Sequence, residues 1–139
     1  MLNKNILDIL LIEDDTIEVI KFNRVISLLK LDHKVIEAHD GEKALSILEQ
    51  TNVLPSLILL DLNMSRMNGI EFLNVLKKKE KLRCIPVVIL TTSSNRKDIS
   101  NCCKLGVAGY ILKPLKYDDY VSAIETLFAY WNINEIAKK

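Results

Sequence analysis

Four acidic residues stand at the ends of two short apolar runs. Leu57-Ile58-Leu59-Leu60 stops on Asp61, and Ile9-Leu10-Leu11-Ile12 stops on Glu13-Asp14-Asp15. Each run is too short for a typical helix. Each reads as a strand buried on both faces of a parallel sheet. Such a strand delivers its terminal carboxylate to the carboxyl edge, where open α/β sheets bind ligands.

If Asp14, Asp15 and Asp61 meet at that edge, their charges repel. A pair about 4 Å apart costs roughly 4 kcal/mol at an effective dielectric near 20. Either some stay protonated or a divalent cation neutralises them. Carboxylates, a backbone carbonyl and water make an oxygen set that suits Mg²⁺. Magnesium commonly brings phosphate, and an aspartate beside it can act as nucleophile and form an aspartyl phosphate. Lys113 offers a compact cation for phosphoryl oxygen, and Thr91 offers a hydroxyl donor. Metal plus ammonium is a recurring way to stabilise a transferring phosphoryl group.

These side chains meet only if five strand ends are brought together. Strands are expected at residues 6–12, 34–38, 57–61, 87–90 and 109–112. Between them run helical patterns. Residues 16–30 carry Val19, Phe22, Val25, Ile26 and Leu29 at spacings of three and four. Asp40 can cap a helix over 41–50, with Ala44, Leu45 and Leu48 inward. A loop with Asn63, Ser65, Asn68 and Gly69 feeds a helix from Ile70 to about Lys79. Ser94 or Asn95 can cap a helix to Leu105, and Gly106 suits its C-terminal turn. The last helix starts near Tyr117, with a stripe at Tyr120, Val121, Ile124, Leu127, Phe128 and Trp131. The stripe from Tyr117 to Trp131 reads as mostly core, with exposure of Phe128 and Trp131 beyond the sheet edge, as a contact for a partner, the alternative at its last turn.

Alternation of this kind implies right-handed crossovers and an α/β fold, a flavodoxin-like (βα)5 doubly wound parallel sheet with strand order 2-1-3-4-5. Residues 1–131 are expected to form one domain, and 132–139 a C-terminal tail.

The bulk numbers agree. The chain has 139 residues, 49% of them apolar and 27% charged, which suits one soluble domain. A net charge of +1 argues against a dedicated nucleic-acid binder. No stretch reaches the roughly 20 apolar residues of a membrane span. The first five residues lead into a run soon broken by acids, so no signal peptide is read there. Three cysteines without CxxC spacing indicate neither a disulfide framework nor a zinc site, and the expected compartment is the cytoplasm. His33 and His39 read as surface residues.

Together, Glu13-Asp14-Asp15, Asp61-Leu62-Asn63-Met64, Met67-Asn68-Gly69, Thr91, Tyr110 and Lys113-Pro114 resemble the receiver domain of two-component response regulators over nearly the whole chain. The resemblance implies that Asp61 is the phosphoacceptor. It implies Mg²⁺ ligation by Asp15 and Asp61 directly, by Asp14 mostly through water, and by the backbone carbonyl of Asn63. Lys113 would contact the phosphoryl group and the Asp61 carboxylate. Thr91 would move toward the phosphoryl group, and Tyr110 would follow by turning inward. The bond before Pro114 would be cis. The implied partners are a sensor histidine kinase or phosphotransfer protein and a downstream protein. No nucleic acid or membrane insertion is implied. The signalling surface would be the fourth helix, fifth strand and fifth helix, a face also compatible with a homodimer. The Thr-Thr-Ser-Ser segment and the aromatic last helix look similar to stand-alone regulators paired with phytochrome-type kinases.

Two positions depart from the family pattern. Ser65 stands where proline is usual, which is expected to loosen the loop after Asp61. Thr92 is larger than the usual residue after the switch threonine and is expected to slow dephosphorylation. Two other functions compete. A phosphatase of the haloacid dehalogenase type also uses a strand-end aspartate with Mg²⁺, but Asp61-Leu62-Asn63-Met64-Ser65 lacks its second aspartate. A degenerate receiver acting as a phosphate-independent scaffold would not need so complete a pocket. No G-x-G-x-x-G follows the first strand, which excludes a dinucleotide binder.

Overall fold

The computed structural model describes residues 6–135. The expectation of no leader at residues 1–5 and the end of the expected tail lie outside the described residues.

Five strands and five helices alternate: β1 (Asp8–Ile12), α1 (Thr16–Leu28), β2 (Lys34–Ala38), α2 (Gly41–Gln50), β3 (Leu57–Leu60), α3 (Gly69–Lys78), β4 (Val87–Thr91), α4 (Arg96–Lys104), β5 (Gly109–Leu112) and α5 (Tyr117–Ile133). All neighbouring strands pair in parallel, in the order β2-β1-β3-β4-β5. The expected topology is therefore the observed one. β1 starts at Asp8, two residues later than the apolar run, and α5 passes residue 131 to end at Ile133.

β3 lies at the centre of the sheet, and all four of its residues are completely buried. Burying such side chains contributes about 1.5–3 kcal/mol apiece. Alternate strand residues feed two cores. Leu10, Ile12, Ile58, Leu60, Val87 and Ile89 pack under α2, α3 and α4. Ile9, Leu11, Leu57, Leu59, Val88 and Leu90 point the other way and pack under α1 and α5.

The helix starts follow their caps. The Asp40 carboxylate accepts the Lys43 N–H at 2.8 Å. Asn68 and Glu71 form a reciprocal capping box at α3, and the Asn95 side chain accepts the Lys97 N–H. Gly106 sits at φ +76° beyond α4, the left-handed geometry that glycine tolerates.

At the end of α5 the core reading of the stripe holds and the exposed alternative does not. Phe128 and Trp131 are buried, and the exposed side chains there are Tyr130 and Ile133. Phe128 packs against Phe22 of α1 and the His33 ring, with centroids 6.4 and 4.9 Å away. His33 is no simple surface residue. Its Nδ1 accepts the Leu7 N–H at 3.0 Å, and burial pulls its pKa down while Asp32 pulls it up, with a net lowering. Cys102 is buried, and Cys84 and Cys103 are exposed free thiols.

Candidate functional site

Two strand ends build the acidic edge. The Asp61 N–H donates to the Ile12 carbonyl at 3.0 Å, which continues the β1–β3 ladder by one residue. The Glu13 N–H donates to the Ala38 carbonyl at 3.0 Å and continues β1 in the same way. Asp61 and Glu13 are both buried, while Asp14 is half-buried. Carboxylate oxygens of Glu13, Asp14 and Asp61 all lie within 4.8 Å of one another.

This set differs from the expected one. Asp15 is exposed, and its Oδ1 accepts the Ile17 N–H at 2.9 Å as the N-cap of α1. Its carboxylate serves the helix start, and it lines the cleft without joining the converging trio. Glu13 takes its place because one more ladder bond keeps residue 13 in strand geometry.

β5 supplies the cation. The Lys113 N–H donates to the Thr91 carbonyl at 2.8 Å, so the ladder reaches one residue past Leu112. Alternation from Ile111 then puts Lys113 on the α1 and α5 face, opposite Glu13. Its Nζ lies 2.6 Å from Glu13 Oε1 and 3.1 Å from Glu18 Oε1. The side chains of Lys113 and Glu13 are 7% and 5% exposed. Burial pushes the Glu13 carboxyl up to about 7, against the opposing pull of Lys113. Burial draws the Lys113 pKa down, but Glu13, Asp61 and Glu18 more than compensate, and the net direction is up. The buried contact is an ion pair within a crowded set of acids.

The expected contact from Lys113 to the Asp61 carboxylate is not made. Among the described residues its ion pairs are to Glu13 and Glu18. Sequence reasoning does not single out Glu18. Its only signal there is an acid in the first turn of a helix that starts at this edge. The bond before Pro114 is also not cis, since no described peptide bond is. Trans costs less at proline, and the backbone bond to Thr91 already aims Lys113 into the site.

An open cleft of about 210 Å³ lies over these groups, and Asn63, Thr92 and Glu18 share its lining with them. Thr91 does not line it. Its side chain is wholly buried, its Oγ1 accepts the Ser93 N–H at 3.3 Å, and strand alternation places it on the α4 face with Ile89. Tyr110 shares that face, partly buried, and donates its hydroxyl to the Ser93 carbonyl at 2.8 Å.

The loop after Asp61 carries a backbone tie at residue 65. The Ser65 N–H donates to Asp14 Oδ2 at 3.2 Å. Proline has no N–H, so the departure from proline is what permits this bond. Gly69 lets the loop return tightly, since a Cβ there would stand 2.7 Å from the Asp61 carbonyl oxygen.

The oxygen donors fit a hard divalent cation. Three carboxylates converge on an open cleft, with Asn63 at its lining and no sulfur or imidazole among them.

Comparison with known proteins gives concordant likenesses. The response regulator receiver domain matches residues 9–125. Response regulator Rcp1 of Synechocystis is 34% identical over 128 residues, covering 88% of this chain and 87% of that protein. The probable methanogenesis regulatory protein FilR2 of Methanothrix harundinacea is 34% identical over 127 residues, covering 88% and 82%. Among solved structures, the phosphorylated cyanobacterial phytochrome response regulator RcpA superposes with a TM-score of 0.90 at 28% identity, over 96% of this chain and all of that one. The Mn²⁺-bound form of Rcp1 superposes at 0.87 with 31% identity, over 95% and 99%.

Proposed function

The chain belongs to the response regulator receiver domain family of two-component signalling, and on that premise we propose that Asp61 accepts a phosphoryl group from a sensor histidine kinase or phosphotransfer protein in a Mg²⁺-dependent reaction. The family is a regulatory phosphoacceptor rather than a conventional enzyme. The observation that carries the proposal is the convergence of the Glu13, Asp14 and Asp61 carboxylates beside the buried Lys113 ammonium.

In the transfer, the phosphorus–nitrogen bond of a phosphohistidine breaks and a phosphorus–oxygen bond to an Asp61 carboxylate oxygen forms. The histidine nitrogen leaves with its electron pair and takes up a proton. Asp61 is the nucleophile. Lys113 turns from its glutamates to the new phosphoryl oxygens. Glu13, Asp14, Asp61 and the Asn63 carbonyl would hold Mg²⁺, which offsets the crowded negative charge when bound. Asp15 belongs to the helix cap instead.

The signal leaves through α4, β5 and α5. Thr91 and Tyr110 share the face toward α4, and Ile99, Leu112 and Tyr117 are exposed on these elements. Phosphorylation adds negative charge that biases such a surface toward one arrangement. A downstream protein reads it. The likeness to RcpA supports a phytochrome-type kinase as the donor.

Acetyl phosphate with Mg²⁺ should label the wild-type protein on an acid-stable, base-labile bond, and Asp61→Asn should abolish the label. Labelling of Asp61→Asn at the wild-type level would refute the assignment. Phosphotransfer profiling against purified histidine kinases would identify the donor.

A further inference from the structure

Glu18 lies in the first turn of α1. Helix side chains lean toward the N-terminus, which carries its carboxylate back over the cleft. Glu18 Oε1 takes the Lys113 ammonium at 3.1 Å, and Glu18 Oε2 lies 3.5 Å from Lys21 Nζ. Lys21 Nζ in turn stands 4.2 Å from the centre of the ring of Tyr120, a buried residue of α5. Charges thus link the end of β5 to α1, and a cation–π contact carries the chain on to α5. An ammonium has three donor positions. Lys113 uses two of them on Glu13 and Glu18 and makes no ion pair to Asp61, so drawing the ammonium toward a phosphoryl group on Asp61 works against its attraction to the two glutamates. Glu18 is outside the trio of converging carboxylates, so its charge acts on the lysine.

We propose that Glu18 is a positioning residue for Lys113: it holds the ammonium beside Glu13 and off Asp61 until a phosphoryl group draws it across, and that release is passed through Lys21 to Tyr120 on α5. The proposal rests on the phosphoacceptor reading of Asp61. It makes Glu18 a brake on the rate at which phosphate is acquired. It also gives α1 and α5 a report of the phosphorylated state that is separate from Thr91 and Tyr110.

The test compares wild type, Glu18→Gln, Glu18→Asp and Asp61→Asn. Glu18→Gln keeps the length and removes the charge. Its labelling by acetyl phosphate should be about two- to fivefold faster, as befits a partly exposed ion pair. The Mg²⁺ concentration for half-maximal labelling should not change. Glu18→Asp keeps the charge and should restore most of the slower wild-type rate. By NMR, the Tyr120 ring resonances of wild type should move when Mg²⁺ and beryllium fluoride, a phosphoryl analogue, are added. In Glu18→Gln they should be displaced before any addition. A wild-type rate together with unmoved Tyr120 resonances in Glu18→Gln would overturn the proposal. A shifted Mg²⁺ midpoint would also overturn it, by assigning Glu18 to the metal. Persistent labelling of Asp61→Asn would instead overturn the phosphoacceptor reading. The Tyr120 resonances of metal-free Glu18→Gln test the Lys113–Glu18–Lys21 link independently of that result.

Discussion

Removing the Asp61 charge should stabilise the metal-free protein. Asp61 is buried and shares the edge with Glu13 and Asp14, their oxygens all within 4.8 Å. At an effective dielectric of about 20, one such pair repels by about 3.5 kcal/mol. Three considerations reduce the net effect. Asp14 is half-buried and partly screened by solvent. The Lys113 ammonium at 2.6 Å already offsets part of the Glu13 charge. Lys113 attracts Asp61 as well, and that attraction is lost with the charge. Asp61→Asn is therefore expected to add about 2 kcal/mol in chelator. A chain of 139 residues gains about 3 °C in Tm per kcal/mol, so the rise should be about 6 °C. Adding Mg²⁺ should reverse the ranking. A ligand at about 100 times its Kd stabilises by about 2.7 kcal/mol, and the variant forgoes most of that gain. The assay is thermal and urea unfolding of both proteins, in EDTA and across a Mg²⁺ titration. An Asp61→Asn protein no more stable than wild type in EDTA would refute the crowding argument. An equal Mg²⁺ gain in both proteins would refute the trio as the binding set.

Two further outcomes follow from contacts around the site and below it. Gly69→Ala would place a Cβ 2.7 Å from the Asp61 carbonyl oxygen and 2.8 Å from Leu62 Cα. Overpacking against backbone should cost about 1–3 kcal/mol in urea unfolding and lower the rate of acetyl phosphate labelling; unchanged stability would mean the loop yields freely. The His33 bond to the Leu7 N–H needs a neutral imidazole, and the folded-state pKa of this base is lowered. The unfolded chain then binds more protons, so the contribution is full above the unfolded value near 6.5 and is lost as pH falls through the lowered folded value. Urea unfolding between about pH 7.5 and 5 should show His33→Gln losing less stability than wild type, the difference staying below about 1 kcal/mol; parallel pH profiles would refute it.

Much of this arrangement is legible in the chain itself. Apolar runs of four or five residues, broken by turn residues and alternating with helical stripes, leave few topologies other than a doubly wound parallel sheet. Asp61 is legible for the same reason, because a strand buried on both faces must present its terminal residue at the edge. Asp40 and Asn68 are legible as caps because local hydrogen bonding places them. Phe128 and Trp131 are less so, since only the packing of α5 on α1 and His33 decides which aromatics at the helix end are covered.

At the acidic edge the sequence by itself determined that carboxylates would crowd around Asp61 and that Lys113 would arrive at the same edge from the fifth strand. The resemblance pointed to Asp14 and Asp15 for the metal, whereas the fold turns Glu13 inward in place of Asp15. That choice turns on whether the ladder ends at residue 12 or 13, and the Glu13 bond to Ala38 settles it while Asp15 is taken by the helix start. Only the tertiary structure decided that Lys113 lies with Glu13 and Glu18 instead of Asp61, and that the Ser65 N–H holds Asp14. These contacts join residues as far as 100 positions apart. A residue's type limits what it can bond, but its partner depends on which strand faces and helix ends the fold brings within about 3 Å.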